Sequence, residues 1–180
     1  MIHITNSQSN YLQQHNVKSA WTITGFEGFK LIINTLIVDD DQEVRNTLAS
    51  ILEDESYLVE TAENGKKAIR MCEKTSFDLA LIDIELPDIK GTELLHILYK
   101  MQPKMVRIII TGYPTIENAA KSVNEKADGY VMKPFVVPEL LAMIKKLIED
   151  KQNAYFKMFT DVEQAKQATP VFRYQHPTKW

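Results

Sequence analysis

A chain of 180 residues with a net charge of -3 fits one ordinary domain with length left over for tails. Its composition, 44% hydrophobic and 25% charged with only 6 glycines and 7 prolines, supports a sizeable core and excludes a low-complexity or fibrous chain. No apolar run reaches the roughly 18 residues of a membrane span, the polar start MIHITNSQSNYLQQHN lacks the order of a signal peptide, and the single cysteine, Cys72, excludes an internal disulfide and fits a cytoplasmic protein.

Charge is unevenly spread. Residues 34–150 hold 21 acidic against 14 basic side chains, whereas residues 151–180 hold 2 against 5. An acidic centre argues against direct nucleic-acid binding, which needs clustered Lys and Arg.

Residues 1–33 show no period and read as an N-terminal leader, disordered or partly packed near its end through Phe26, Phe29, Leu31 and Ile32. The first apolar run, Thr35–Val38, predicts a strand and ends in Asp39-Asp40-Asp41. Asp41 is placed to cap the helix that follows, where Val44, Leu48, Ile51 and Leu52 recur at helical spacing. A second run, Tyr57–Thr61, precedes a helix marked by Ala68, Ile69 and Cys72; Cys72 falls on its apolar face and is expected in the core. A third run, Phe77–Ile82, ends in Asp83 and leads to a helix with Leu94, Leu95, Ile97 and Leu98. The fourth, Val106–Ile110, ends in Thr111-Gly112, and Ile116, Ala119, Ala120 and Val123 mark the apolar face of the next helix. The fifth, Gly129–Met132, ends in Lys133-Pro134, and Pro138 suits the first turn of a last helix carrying Leu140, Leu141, Ile144, Leu147 and Ile148.

The last pattern does not stop at Asp150. Leu141, Ile144, Ile148, Tyr155, Met158, Val162 and Ala165 extend it, and no Gly or Pro interrupts the chain before Thr169. A helix of about 30 residues is expected, with a seam suited to a second helix and hence a homodimer. The end, ATPVFRYQHPTKW, reads as an irregular tail able to enter a partner's groove.

Five alternating strand–helix units predict an α/β fold: a doubly wound, five-stranded parallel sheet with helices on both faces and an extended C-terminal helix. Ligands of such sheets bind at the carboxyl ends of the strands. There the chain places Asp39, Asp40, Asp83, Thr111 and Lys133. Clustered carboxylates repel unless a cation joins them, and Mg²⁺ takes one or two carboxylates while leaving a place for phosphate oxygen. An aspartate can act as a nucleophile toward phosphorus, and a lysine and a hydroxyl stabilise the charge of the transferring group.

The motifs VDDD, LIDIELPDIKG, IIITG and GYVMKPF, in that order and each at a strand end, resemble the receiver domain of two-component response regulators over residues 34–150. The resemblance implies a CheY-like (flavodoxin-like) fold and a Mg²⁺-dependent phosphoacceptor. It makes Asp83 the residue that becomes aspartyl phosphate, with Asp39 and Asp40 holding the metal and Glu85 offering it a backbone carbonyl. It makes Lys133 the partner of a phosphoryl oxygen, with a cis bond to Pro134, and Thr111 and Tyr130 a switch pair. Gly112 is expected to leave the phosphoryl group reachable. The implied partners are a sensor histidine kinase or phosphotransfer protein and a downstream protein target, and the protein acts as a signalling phosphoacceptor rather than a turnover enzyme. Only 30 residues follow Asp150, too few for a helix-turn-helix module, so a stand-alone regulator is expected.

Two alternatives remain at this point. A receiver-like adaptor that needs no phosphate would keep the fold. An aspartate-nucleophile phosphatase of the haloacid dehalogenase type resembles D-x-D-x-T/V, which Asp39 and Asp41 meet in spacing before Gln42 and Glu43 break it. The histidines His3, His15, His96 and His176 lack ligand spacing.

Overall fold

Strand pairing follows from the apolar runs, which can bury both faces only inside a parallel sheet. The structure, a computed structural model, describes residues 32–168. Five strands, β1 (Asn34–Val38), β2 (Leu58–Ala62), β3 (Leu79–Ile82), β4 (Val106–Thr111) and β5 (Gly129–Met132), form one sheet. All neighbours are parallel in the order β2-β1-β3-β4-β5. Helices α1 (Gln42–Asp54), α2 (Gly65–Cys72), α3 (Gly91–Met101), α4 (Ile116–Asn124) and α5 (Val137–Ala168) alternate with them. The order reverses between β1 and β3, which opens a crevice at their carboxyl ends.

The pleat of the sheet sorts its core into two layers. Leu36, Val38, Ala80, Ile82 and Ile109 face α2 and α3, meeting Ala68, Cys72, Leu94, Leu95 and Leu98. Ile37, Leu79, Leu81, Ile108 and Ile110 face the other way, onto Leu48 and Leu52 of α1 and Leu140, Ile144 and Ile148 of α5. Each fully buried Leu or Ile contributes about 1.5–3 kcal/mol from burial. Cys72 lies in the core as expected, and burial pushes its thiol up to about 11.

Caps set the helix starts. Asp41 accepts from the Glu43 and Val44 amides as the N-cap of α1, Asn64 caps α2 through Lys67, and Thr115 caps α4 through Asn118.

One helix departs from expectation. Ile116 and Val123, read as core-facing, are 92% and 69% exposed, and the buried residue of α4 is Ser122. The 3–4 spacing of apolar residues was satisfied, but Asn118, Ala119 and Ser122 form the inward side. Small and polar residues face inward there, the Ser122 hydroxyl donating 2.7 Å back to the Asn118 carbonyl.

The final helix runs unbroken from Val137 to Ala168. Ile144 and Ile148 of its seam are buried and Met158 is 54% exposed; the side chains of Tyr155, Val162 and Ala165 lie outside those described. Of the segment 1–33 read as a leader, residues 1–31 lie outside the described residues, as does the tail from Thr169. No helix among the described residues is long and apolar enough to cross a membrane.

Candidate functional site

The carboxyl ends of β1 and β3 each deliver an aspartate to the same point because the strands are neighbours in register, Val38 beside Ile82. The next residues are Asp39 and Asp83, and the Asp83 amide still donates to the Val38 carbonyl at 2.8 Å. Asp40 joins them. One carboxylate oxygen from each of Asp39, Asp40 and Asp83 lies within 4.8 Å of the others, an arrangement that could hold a metal ion.

Charge at this point is unbalanced. Asp39 and Asp83 are buried, whereas Asp40 is exposed. Lys133, from the end of β5, donates to Asp39 Oδ2 at 2.6 Å and stands 3.7 Å from Asp83 Oδ1. Asp39 Oδ1 accepts from the Asp41 amide at 3.0 Å, so both oxygens of Asp39 are engaged. Asp83 Oδ1, in contrast, is buried and has no hydrogen-bond partner. Burial pushes the Asp83 carboxyl up to about 6; Lys133 opposes the rise, while Asp39 and then Asp40 add to it. A hard divalent cation fits this donor set of three carboxylates, since it would give Asp83 Oδ1 a closer partner than Lys133 at 3.7 Å and offset the repulsion.

The remaining residues singled out by sequence are placed around this rim. Thr111 ends β4, fully buried, with its Oγ1 accepting from the Tyr113 amide at 3.1 Å. Gly112 follows, and a Cβ built there would meet no protein atom within 4 Å, so nothing in the packing demands its smallness. Tyr130 packs against the same core layer as Ile109, and its hydroxyl is buried without a hydrogen-bond partner. The Lys133–Pro134 bond is cis. The Glu85 carboxylate stays out of the aspartate group: it pairs with Lys90, and the two backbones form an antiparallel bridge.

Three supporting residues were not singled out from the sequence. Gly91 opens α3 against the Asp83 carbonyl, where a Cβ would come within 2.0 Å of that oxygen; a glycine at the first helical position, inside LPDIKG, was the available signal. Asp88 reaches across to α2 and accepts from the Gly65 and Lys66 amides at 2.9 and 2.8 Å. Arg45, in the first turns of α1, donates to main-chain carbonyls of the acidic turn.

Comparison with known proteins points the same way. A family model described as the response regulator receiver domain matches residues 35–145. A putative NtrX-like response regulator of Rickettsia bellii (strain RML369-C) is 33% identical over 120 residues, which is 66% of this chain and 25% of that protein. The chain spans between 25% and 50% of the length of the first curated relatives it matches. A CheY-like receiver domain protein from Methanospirillum hungatei JF-1 superposes with a TM-score of 0.67 at 41% identity, covering 68% of this chain and 98% of that one. A response regulator from Burkholderia pseudomallei, solved with a phosphorylated aspartic acid, a calcium ion and citrate, reaches a TM-score of 0.61 at 28% identity over 78% of this chain and 77% of its own.

Proposed function

The chain belongs to the response regulator receiver domain family of two-component signalling, and on that premise we propose that Asp83 accepts a phosphoryl group in a Mg²⁺-dependent reaction. The observation that carries this reading is the buried Asp83 carboxylate beside Lys133 and two further carboxylates. An ionised carboxylate oxygen of Asp83 is the nucleophile. It forms the O–P bond as the donor's own bond to phosphorus breaks, and the electron pair leaves with the donor, the imidazole of a phosphohistidine. Lys133 is placed to pair with a phosphoryl oxygen, giving up part of its hold on Asp39. Mg²⁺, held by Asp39, Asp40, Asp83 and the Glu85 carbonyl, would supply positive charge opposite the phosphoryl oxygens.

The same reading makes Thr111 and Tyr130 the switch. Thr111 turns its hydroxyl toward the phosphoryl group, and the surface around β5 and α4 changes with it. The exposure of Ile116 and Val123 on α4 supports an output through protein contact there. The donor partner is a sensor histidine kinase or phosphotransfer protein in the cytoplasm. The long α5 supports a homodimer through helix pairing. Direct nucleic-acid contact is not part of the receiver's proposed role, because acidic side chains outnumber basic ones over residues 34–150.

One experiment addresses these points together. The protein is incubated with Mg²⁺ and acetyl phosphate, then followed by intact mass and size-exclusion chromatography. One added acid-labile phosphoryl group is expected, lost in Asp83→Asn, together with elution as a dimer. Phosphorylation of Asp83→Asn at the wild-type level would overturn the acceptor assignment, and a monomer with and without phosphoryl would overturn the dimer alone.

A further inference from the structure

The three peptide carbonyls of Asp39, Asp40 and Asp41 all accept from one residue. Arg45 Nη1 donates to the Asp39 carbonyl at 2.7 Å and to the Asp40 carbonyl at 2.9 Å, and the Arg45 amide donates to the Asp41 carbonyl at 3.1 Å. β1 ends at Val38 and α1 begins at Gln42, so these residues span the whole turn between strand and helix. The Asp39 amide still donates to the Ala62 carbonyl of β2 at 3.2 Å, but the carbonyls of Asp39 and Asp40 accept from Arg45 rather than from the sheet or the first helical turn. We propose that Arg45 is a positioning residue for the metal-holding carboxylates, clamping the acidic turn so that Asp39 and Asp40 face Asp83 before any cation arrives. The inference rests on the reading of Asp39 and Asp40 as metal-holding residues and deepens it.

The physical case is one of preorganisation. Two carboxylates on adjacent turn residues, with a third across from them, repel. An unrestrained turn would relieve that repulsion by rotating Asp40 outward, since it is already exposed. Both bonds come from Nη1, whose two N–H directions are fixed in the plane of the guanidinium, whereas a freely turning ammonium holds two carbonyls less rigidly. The guanidinium's grip acts on the backbone, leaving every carboxylate oxygen to Lys133, the Asp41 amide or a cation. Holding ligands before binding raises affinity by reducing the ordering cost of binding.

Clamp and bare charge predict opposite signs. Arg45 is a cation close to a cation site, so electrostatics alone says that its removal strengthens Mg²⁺ binding. A clamp says that removal weakens it, and supporting groups of this kind are worth about 10- to 100-fold in metal affinity. The experiment measures Mg²⁺ affinity by calorimetric titration for the full chain, Arg45→Met and Arg45→Lys. Met keeps the apolar stem without a donor; Lys keeps the charge without the fixed N–H directions of the guanidinium. About tenfold weaker binding is expected for Arg45→Met, with Arg45→Lys between it and the wild type. In metal-free protein the Asp41 amide, bonded to Asp39 Oδ1, should exchange faster with solvent in Arg45→Met. Unchanged or tighter Mg²⁺ binding by Arg45→Met overturns the clamp while the site reading stands. If Arg45→Met does not fold, Arg45→Lys decides: wild-type affinity there overturns the clamp, and weaker binding supports it. A wild type that binds no Mg²⁺ overturns the site reading itself, and the clamp with it.

Discussion

The two ends of the sheet solve opposite electrostatic problems. At the carboxyl rim, Asp39, Asp40 and Asp83 gather around Lys133, while the Arg45 guanidinium bonds the carbonyls of the same turn. At the amino-terminal edge, the cations Arg107 and Lys151 gather around the carboxylate of Asp128. The edge cluster is closed by its own chain. Asp128 Oδ2 accepts from the Arg107 amide at 2.8 Å and from its guanidinium at 3.2 Å, and Lys151 donates to both Asp128 oxygens at 3.0 Å and to the Met105 carbonyl at 2.7 Å. Arg107 also donates to the Lys126 carbonyl at 3.3 Å and lies 4.9 Å above the Tyr99 ring. Main-chain carbonyls and an aromatic face thus complete the surroundings of the two cations. At the rim carboxylates predominate, and their arrangement could hold a metal ion. The same residue types thus form a joint where main-chain groups complete the pairing and a candidate cation site where carboxylates are in excess.

The comparison can be broken most directly at Asp128. Asp128→Ala leaves two cations facing each other, one of them fully buried, and should destabilise the domain by about 3–5 kcal/mol in denaturant unfolding. A loss below about 1 kcal/mol would show that the edge cluster is not a joint, since truncating a buried pair carries a large penalty.

A smaller effect is expected from Lys151→Met. Asp128 keeps its pairing with Arg107, so the cost should be on the order of 1–2 kcal/mol for the lost bonds to Asp128 and to the Met105 carbonyl. Burial pushes the Lys151 ammonium below its ordinary value, which Asp128 partly opposes, so some of the loss is offset by relief of that desolvation. Because Lys151 ties α5 to the sheet edge, hydrogen exchange in α5 after residue 151 should speed up in the variant, and its failure to do so would separate the helix from the joint.

The smallest effect concerns the rim without metal. Asp83 has a folded value of about 6 against 3.8 in the unfolded chain, so the folded state holds the proton more tightly. Stability from this group is therefore lost as pH rises from about 4 through about 6, the reverse of a salt-bridged aspartate. In chelator, Asp83→Asn should be more stable than the wild type at pH 7, on the order of 1 kcal/mol, and the difference should shrink toward pH 4. Added Mg²⁺ should stabilise the wild type more than the variant at pH 7. A chelated wild type more stable than Asp83→Asn at pH 7 would mean that the rim is balanced after all.

How far the sequence could be read depended on the kind of constraint. The strands were legible because runs such as TLIV and VRIII have only one use in an alternating α/β chain, burial on both faces. The rim was legible because the motif residues stand directly after those runs, and parallel strands end on one side. Arg45 was not legible as a clamp, since an arginine on an amphipathic helix is ordinarily a solvated charge, and its reach to two carbonyls depends on the turn's shape. Arg107 sat inside an apolar run and read as a strand residue; that it is 2% exposed and paired with Asp128 depends on which loop lies beside β4. The inward face of α4 was misread because hydrophobic spacing says which residues share a face, but not how closely the helix approaches the sheet.

Local period, strand-end chemistry and the absence of helix breakers were thus properties of the chain itself. They determined an alternating α/β architecture with Asp39, Asp40 and Asp83 at one rim and a final helix running on to Ala168. Only the tertiary structure decided which charges are paired, because pairing depends on distances between residues such as Asp39 and Lys133, 94 positions apart in sequence. It also decided which apolar residues stay exposed, since that depends on the packing distance of each helix. Sequence order carries neither distance, and both are set when the sheet closes around its core.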